Sequence, residues 1–178
     1  MASKTNNGVI IRRYNINKIA ESLRTSADDA KQRAVMILQY IGEVCIRIAR
    51  ENGNYNDITG NLRSSIGYIV LNNGSVVTQQ IAKPTTVAAG KRDVKRTRKD
   101  GTEYIAHQKN GGDGSTGARQ AQNVLSRLKS EYPRGLVLIV CAGMEYAAYV
   151  ENVHGKRVLI DARLTAERLA DKLLGKRK

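Results

Sequence analysis

Glycine spacing gives the first chemical signal in this chain. Gly112-x-Gly114-x-x-Gly117 stands directly before a helical stretch, the spacing with which a strand–turn–helix unit wraps a dinucleotide pyrophosphate. The context excludes that use. The nearest strand-like residues upstream, Tyr104-Ile105-Ala106, lie too early for the tight turn, and Val137 stands where an acid should hold the ribose, about 20 residues on. The same glycines approach a phosphate loop, but Ala118-Arg119 replaces the Lys-Ser/Thr pair that holds phosphate and magnesium. A flexible, loop-forming linker is the expected role.

Catalytic constellations fare no better. His107 sits among polar residues and His154 beside Gly155, so a histidine-pair metal site has no local support. There is no Gly-x-Ser-x-Gly elbow and no Cys–His signature. Cys45 lies in an apolar helical stretch and Cys141 ends an apolar run, so both read as small buried hydrophobes with free thiols. The expectation is a protein that is not an enzyme and uses no cofactor or metal.

The strongest feature is electrostatic. Lys91, Arg92, Lys95, Arg96, Arg98 and Lys99 crowd into one short run against a single acid, Asp93. Such a run serves either as a solvated surface or as a contact for a polyanion, which it binds through phosphate neutralisation without reading sequence. Tyr104 is the only aromatic nearby, which argues against specific stacking of single-stranded bases.

The whole chain shares this bias. Of 178 residues, 30 are basic and 16 acidic, a formal charge of +14. Hydrophobic residues make up 41%, within the globular range, so wholesale disorder is excluded and one domain over 1–178 is expected. No run of 18 apolar residues is available to span a membrane. The opening Met1-Ala2-Ser3-Lys4-Thr5-Asn6-Asn7 lacks the apolar stretch of a signal peptide, so a cytoplasm-like compartment, or packaging from one, is expected.

Periodicity supplies the scaffold. Ala34, Ile37, Leu38, Ile41, Val44, Cys45 and Ile48 recur at helical steps and predict a helix over 27–51, with Ser26 as N-cap and Gly53 as stop. A shorter amphipathic helix is predicted over 15–24. Leu62, Ser64, Ile66, Tyr68 and Val70 alternate as a strand does, Asn72-Asn73-Gly74 suits a hairpin turn, and Val76, Val77 and Ile81 suit the returning strand. Leu136–Cys141 reads as a buried strand, and residues 118–131 as a helix ending before Pro133. Tyr146, Ala147, Tyr149 and Val150 fit a short helical turn, and Leu159, Ala162, Ala166, Leu169 and Leu173 step through a final helix stopped by Gly175. Between the strands, residues 83–118 read as an extended basic, glycine-rich arm without regular structure, ordering only on docking.

These elements predict an α+β fold: a small, mainly antiparallel sheet with the long N-terminal helix and the C-terminal helix on one face, plus the long basic insertion. Two phrases then carry a resemblance: Asp57-Ile58-Thr59-Gly60-Asn61-Leu62-Arg63-Ser64-Ser65-Ile66 after the long helix, and Met144-Glu145-Tyr146-Ala147-Ala148-Tyr149-Val150-Glu151-Asn152-Val153-His154-Gly155 after the insertion. In this order, over roughly residues 27–174, the chain resembles the tail-completion (neck) protein family of long, non-contractile-tailed bacteriophages. That family has a "Thr-Gly-x-Leu-x-x-Ser-Ile" strand entry, a variable insertion, a "Tyr-Ala-x-Tyr-Val-Glu" turn and a final helix. A Gly-Pro that the family often carries after the Val-Glu is missing here, where Lys156-Arg157 follows Gly155.

The resemblance implies a structural virion protein that forms a homo-oligomeric ring, a hexamer, at the head-proximal end of the tail. Its partners would be the tail tube or tail terminator and the head–tail connector, with nonspecific DNA contact in the lumen and no membrane. The location implied is the virion, with the host cytoplasm during assembly. Arg63, Ser65, Tyr146, Tyr149 and Glu151 are the subunit-interface candidates, the competing role for the tyrosines being packing within the monomer. The alternative is a small basic, non-enzymatic nucleic-acid-binding protein.

Overall fold

The computed structural model describes residues 4–6, 9–11 and 15–175. The chain divides into two compact units, Met1–Ala34 and Val35–Lys178, where the sequence suggested one. In the first unit β1 (Lys4–Asn6) and β2 (Val9–Ile11) pair antiparallel, with Thr5 opposite Ile10.

Helix α1 runs from Ile16 to Glu51 without a break, beginning in the first unit and ending in the second. It replaces the two helices expected. Asn15 is the cap: its Oδ1 accepts from the Asn17 and Lys18 nitrogens at 3.1 and 3.3 Å. Ser26, expected to cap a second helix, instead donates its hydroxyl to the Ser22 carbonyl at 2.9 Å, and Thr25 does the same to Glu21. Hydroxyls that bond back one turn leave the backbone ladder intact, so the polar pair does not end the helix.

The second unit is built on a three-stranded antiparallel sheet of order β4-β3-β7, from β3 (Ile66–Asn72), β4 (Ser75–Ile81) and β7 (Leu136–Ala142). Asn73 and Gly74, both at positive φ (49° and 74°), close the β3–β4 hairpin as the turn residues predict. Alternation along the strands sorts the core into two layers. Ile66, Tyr68 and Val70 of β3, with Leu138 and Val140 of β7, meet Ile41, Cys45 and Ala49 of α1 and Ala162 and Leu169 of α5 (Ile160–Leu174). Ile69 and Leu71, with Ile139 and Cys141, meet Leu125 of α3 (Ser115–Lys129). The fold is α+β, with the long N-terminal helix and the C-terminal helix on one face and α3 closing the other. β7 is partly rather than fully buried, because it forms one border of the sheet.

Tyr68 is fully buried and lies against Gly42, where any side chain would collide with its ring, while its hydroxyl donates to Glu43 Oε1 at 2.8 Å. Both cysteines are buried free thiols, as expected.

The middle of the chain departs from the sequence reading. Residues 83–118 are not a structureless arm. Strands β5 (Val87–Thr97) and β6 (Glu103–Gly112) form an antiparallel hairpin, and α3 has begun by Ser115. Its tip is a turn in which the Gly101 nitrogen donates to the Arg98 carbonyl at 3.0 Å, with Gly101 at φ 88°. The Thr102 nitrogen donates to Asp100 Oδ1 at 2.9 Å, and that bond holds the Asp100 carboxyl below its ordinary value. Basic residues in adjacent pairs, Lys91-Arg92 and Lys95-Arg96, put charge on both faces of a ribbon whose two faces are both wet, so high charge did not signify absence of strand.

Candidate functional site

The phrase Asp57–Ile66 forms the hub between sheet, helices and hairpin. Leu62 and Ser64, expected in a strand, belong to a one-turn helix, α2 (Asn61–Ser64), that precedes β3. Gly60 starts it at φ 77°, pressed so closely on the Thr85 carbonyl that no side chain fits. Asp57 closes the turn from outside: its two carboxylate oxygens accept from the Leu62 and Arg63 nitrogens at 3.2 and 3.0 Å. Ser64 is fully buried; its Oγ donates to the Gly60 carbonyl at 2.5 Å and accepts from the Thr85 nitrogen at 2.8 Å.

Ser65 is too deeply buried to meet a neighbouring subunit, and the half-buried Arg63 is bonded within the chain. Ser65 is fully buried, donates to the Leu62 carbonyl at 2.8 Å, and accepts the Gly143 nitrogen through its own carbonyl. The Arg63 guanidinium turns inward, donates to the Arg50 and Gly53 carbonyls and lies 5.1 Å from the centre of the Tyr55 ring. Carbonyls at the end of α1 have no partner within the helix, and a guanidinium satisfies them. Arg50 in turn reaches Lys83 O and Thr85 Oγ1 at 3.0 and 2.9 Å. Burial pushes the Tyr55 phenol up to about 12, with its hydroxyl donating to the Ala49 carbonyl.

The second phrase supplies α4 (Ala147–Asn152). Tyr146 and Tyr149 are surface residues, 41% and 55% exposed, with the Tyr149 ring edge-on to His154 at 5.0 Å. Partial burial and the nearby Asp57 carboxylate raise the Tyr146 phenol above its ordinary value. Glu151, expected to pair with a neighbouring subunit, spends its carboxylate within the chain. Its Oε1 accepts from the Val158, Leu159 and Ile160 nitrogens and so caps α5.

The glycine fingerprint is structural too, and not a flexible linker. A side chain at Gly112 would strike the Thr59 carbonyl, one at Gly114 the Ser64 hydroxyl and Thr85, and one at Gly117 the Asn61 carbonyl. The start of α3 is thereby pressed against the hub. Two of its first nitrogens are already served, Ser115 by Asp113 Oδ1 at 3.0 Å and Gly117 by Asn61 Oδ1 at 3.2 Å. The Ser115 bonds also hold the Asp113 carboxyl below its ordinary value.

All six expected arm residues lie on the hairpin or its tip, and its register sorts them. Lys91, Asp93 and Lys95 stand opposite Lys109, His107 and Ile105, whereas Arg92 and Arg96 stand opposite Gln108 and Tyr104. Because successive side chains alternate, one face carries Lys91, Lys95 and Lys109 together with Asp93 and Glu103. Asp93 Oδ1 and His107 Nδ1 lie 2.6 Å apart on that face. The other face carries Arg92, Arg96 and Arg98, the last with its guanidinium 5.1 Å from the Tyr104 ring centre, and no carboxylate. Lys99 sits in the turn.

The hairpin is tied down at its base, where the Gly111 nitrogen donates to the Ile58 carbonyl at 3.0 Å and Arg92 to Asn56 Oδ1 at 3.4 Å. Beside this tie an open cavity of about 280 Å³ is lined by Tyr55, Asp57, Arg63, Arg92 and Asn110. The buried Asn110 Oδ1 has no hydrogen-bond partner.

No family model, curated protein or solved structure matches this chain. Among the described residues no cluster of His, Cys, Asp or Glu has the makings of a metal site, and no helix is long and apolar enough to cross a membrane. The sequence assigns no role of their own to Asp57 and Asn61, which stand in the first phrase, or to Thr85. Asp57 alone left a signal there: an acid shortly before a glycine-led turn suits a cap.

Proposed function

We propose that this chain is a tail-completion (neck) protein of a long-tailed bacteriophage, a structural virion component without catalytic activity. In this reading it forms a ring at the head-proximal end of the tail, contacting the tail tube or terminator on one side and the head–tail connector on the other. One observation carries the reading beyond motif order. The two phrases that bear the resemblance, far apart in sequence, meet in one apolar cluster: Leu62 of the first packs with Ala147, Met144 and Val150 of the second, around Tyr55 and Val158. Two phrases far apart in sequence have a physical reason to occur together when they build one core.

The ring would arise from head-to-tail contacts repeated about a rotation axis. Tyr146 and Tyr149 would line the interface, each half-exposed with an apolar ring and a polar tip. With a formal charge of +14 per chain, free copies repel, so the ring closes on docking to the tail rather than in solution.

Deleting the gene from its parent phage tests this. The expected outcome is DNA-filled heads and separate tails, with joining restored by the wild-type chain and not by Tyr149→Ala. Sedimentation of the purified protein at low salt should give a monomer; a tight closed ring without partners would refute the docking-dependent assembly.

The second reading, a small basic nucleic-acid-binding protein, is favoured by the acid-free arginine face of the hairpin. It requires tight binding of duplex near physiological salt with a steep salt slope, where a neck protein binds weakly.

A further inference from the structure

We propose that the arginine face of the β5–β6 hairpin is a binding surface for the phosphate backbone of duplex DNA, and that the lysine face is not. The inference concerns the hairpin alone; it deepens the second reading above and stands apart from the ring reading. Arg92, Arg96 and Arg98 are exposed and share a face with Val94, Ala106, Tyr104 and Gln108, with no acid of the hairpin among them; Arg92, at the base, shares an open cavity with Asp57, so the stretch clear of carboxylates is the outer half with Arg96 and Arg98. On the opposite face Asp93 and Glu103 offset two of the three lysines and repel phosphate. The basic run therefore has a side.

Spacing and chemistry fit the ligand. At about 3.3 Å per residue, the backbone from Arg92 to Arg98 spans about 20 Å, the axial length of about six phosphates on one DNA strand. A guanidinium is more weakly hydrated than an ammonium and binds phosphate through two parallel N–H bonds, so it gains more from each contact. The form of the element selects among nucleic acids. A two-stranded ribbon enters the major groove of B-form DNA, whereas the deep, narrow major groove of A-form RNA excludes it. Single strands need open aromatic platforms, and the Tyr104 ring is occupied by Arg98. No array of side chains is fixed against base edges, so contact is with the backbone and independent of sequence.

The test is the salt dependence of binding of the full-length chain to a short fluorescein-labelled DNA duplex, followed by anisotropy between roughly 50 and 200 mM salt. R96Q/R98Q should lower the slope of log K against log salt by about 1.8, about 0.9 for each lost phosphate contact. K91Q/K95Q removes the same charge and should lower it distinctly less. Both pairs lie at exposed positions, and unchanged thermal melts would show that the variants fold. Equal losses from the two variants would overturn the proposal, since the affinity would then follow net charge. Duplex RNA bound as tightly as DNA would also overturn it, as would poly-glutamate bound more tightly, which would assign the face to an acidic protein. A hairpin silent toward DNA in a protein that still joins heads to tails would remove this inference and leave the ring reading; DNA binding in a protein dispensable for joining would do the reverse.

Discussion

The Oε1 atom of Glu151 lies 2.8 Å from the backbone nitrogen of Ile160, the first residue of α5. The same oxygen also accepts from the Val158 and Leu159 nitrogens. One carboxylate thus serves a helix start that has no side-chain cap of its own. Glu151→Ala should cost about 1 to 2 kcal/mol in urea unfolding of the isolated protein, and Glu151→Gln less, because the amide oxygen still accepts. Were Glu151 reserved for a neighbouring subunit, both variants would unfold like the wild type.

Ser26 distinguishes one helix from two. A capping serine loses about 1 kcal/mol on conversion to alanine. Within a continuous α1, where its hydroxyl bonds back to Ser22, Ser26→Ala should be neutral or stabilising by a few tenths of a kcal/mol. Far-UV circular dichroism and urea unfolding read the sign directly.

Gly117 faces the Asn61 carbonyl with no room for a methyl group. Gly117→Ala should therefore destabilise the protein by about 2 to 3 kcal/mol, since backbone on both sides must shift. Thr116→Ala, at an exposed neighbouring position, should leave the midpoint within error. A harmless Gly117→Ala would return this stretch to the linker role.

Alkaline pH should unfold the protein early. Burial lifts the Cys45 and Cys141 thiols from 9 to about 11, and the Tyr55 and Tyr68 phenols from 10 to about 12. For Tyr68 the bond to Glu43 adds to the effect. A raised folded-state value means that the unfolded chain releases its proton first, so this contribution is complete below pH 9 and drains away as pH climbs to 12. Melting temperature should fall across that window, and Tyr55→Phe should make the fall shallower while lowering stability at neutral pH through the lost bond to Ala49. A flat profile to pH 12 would contradict the burial of these groups.

The parts of the fold legible in the sequence were those with a long repeat or a forced turn. α5 follows from apolar residues at helical steps, and the β3–β4 hairpin from Asn73-Gly74, because few other pairs adopt positive φ twice. The errors arose where two patterns coincide. Leu62, Ser64 and Ile66 alternate like a strand, yet Asp57 and Gly60 impose a helical turn on the first two, and only the hydrogen bonds reveal which pattern governs. Thr25 and Ser26 look like a helix start because the same hydroxyls that cap can also bond backwards. The candidate site divided the same way. Tyr146, Tyr149 and the basic residues are at the surface as expected, but Arg63 and Glu151 answer to backbone groups that no linear pattern brings near them, and Ser65 bonds back one turn to Leu62.

The two thiols lie on opposite faces of the sheet, Cys45 on α1 in the layer that α1 and α5 form against it, and Cys141 on β7 beneath α3. Each helical cover therefore comes with its own built-in chemical witness. An alkylating reagent reacts with a residue only when the layer above it lifts, so peptide mapping of a partly labelled sample would tell which side of the sheet breathes first. Without any engineered probe, the chain can report the order in which it comes apart.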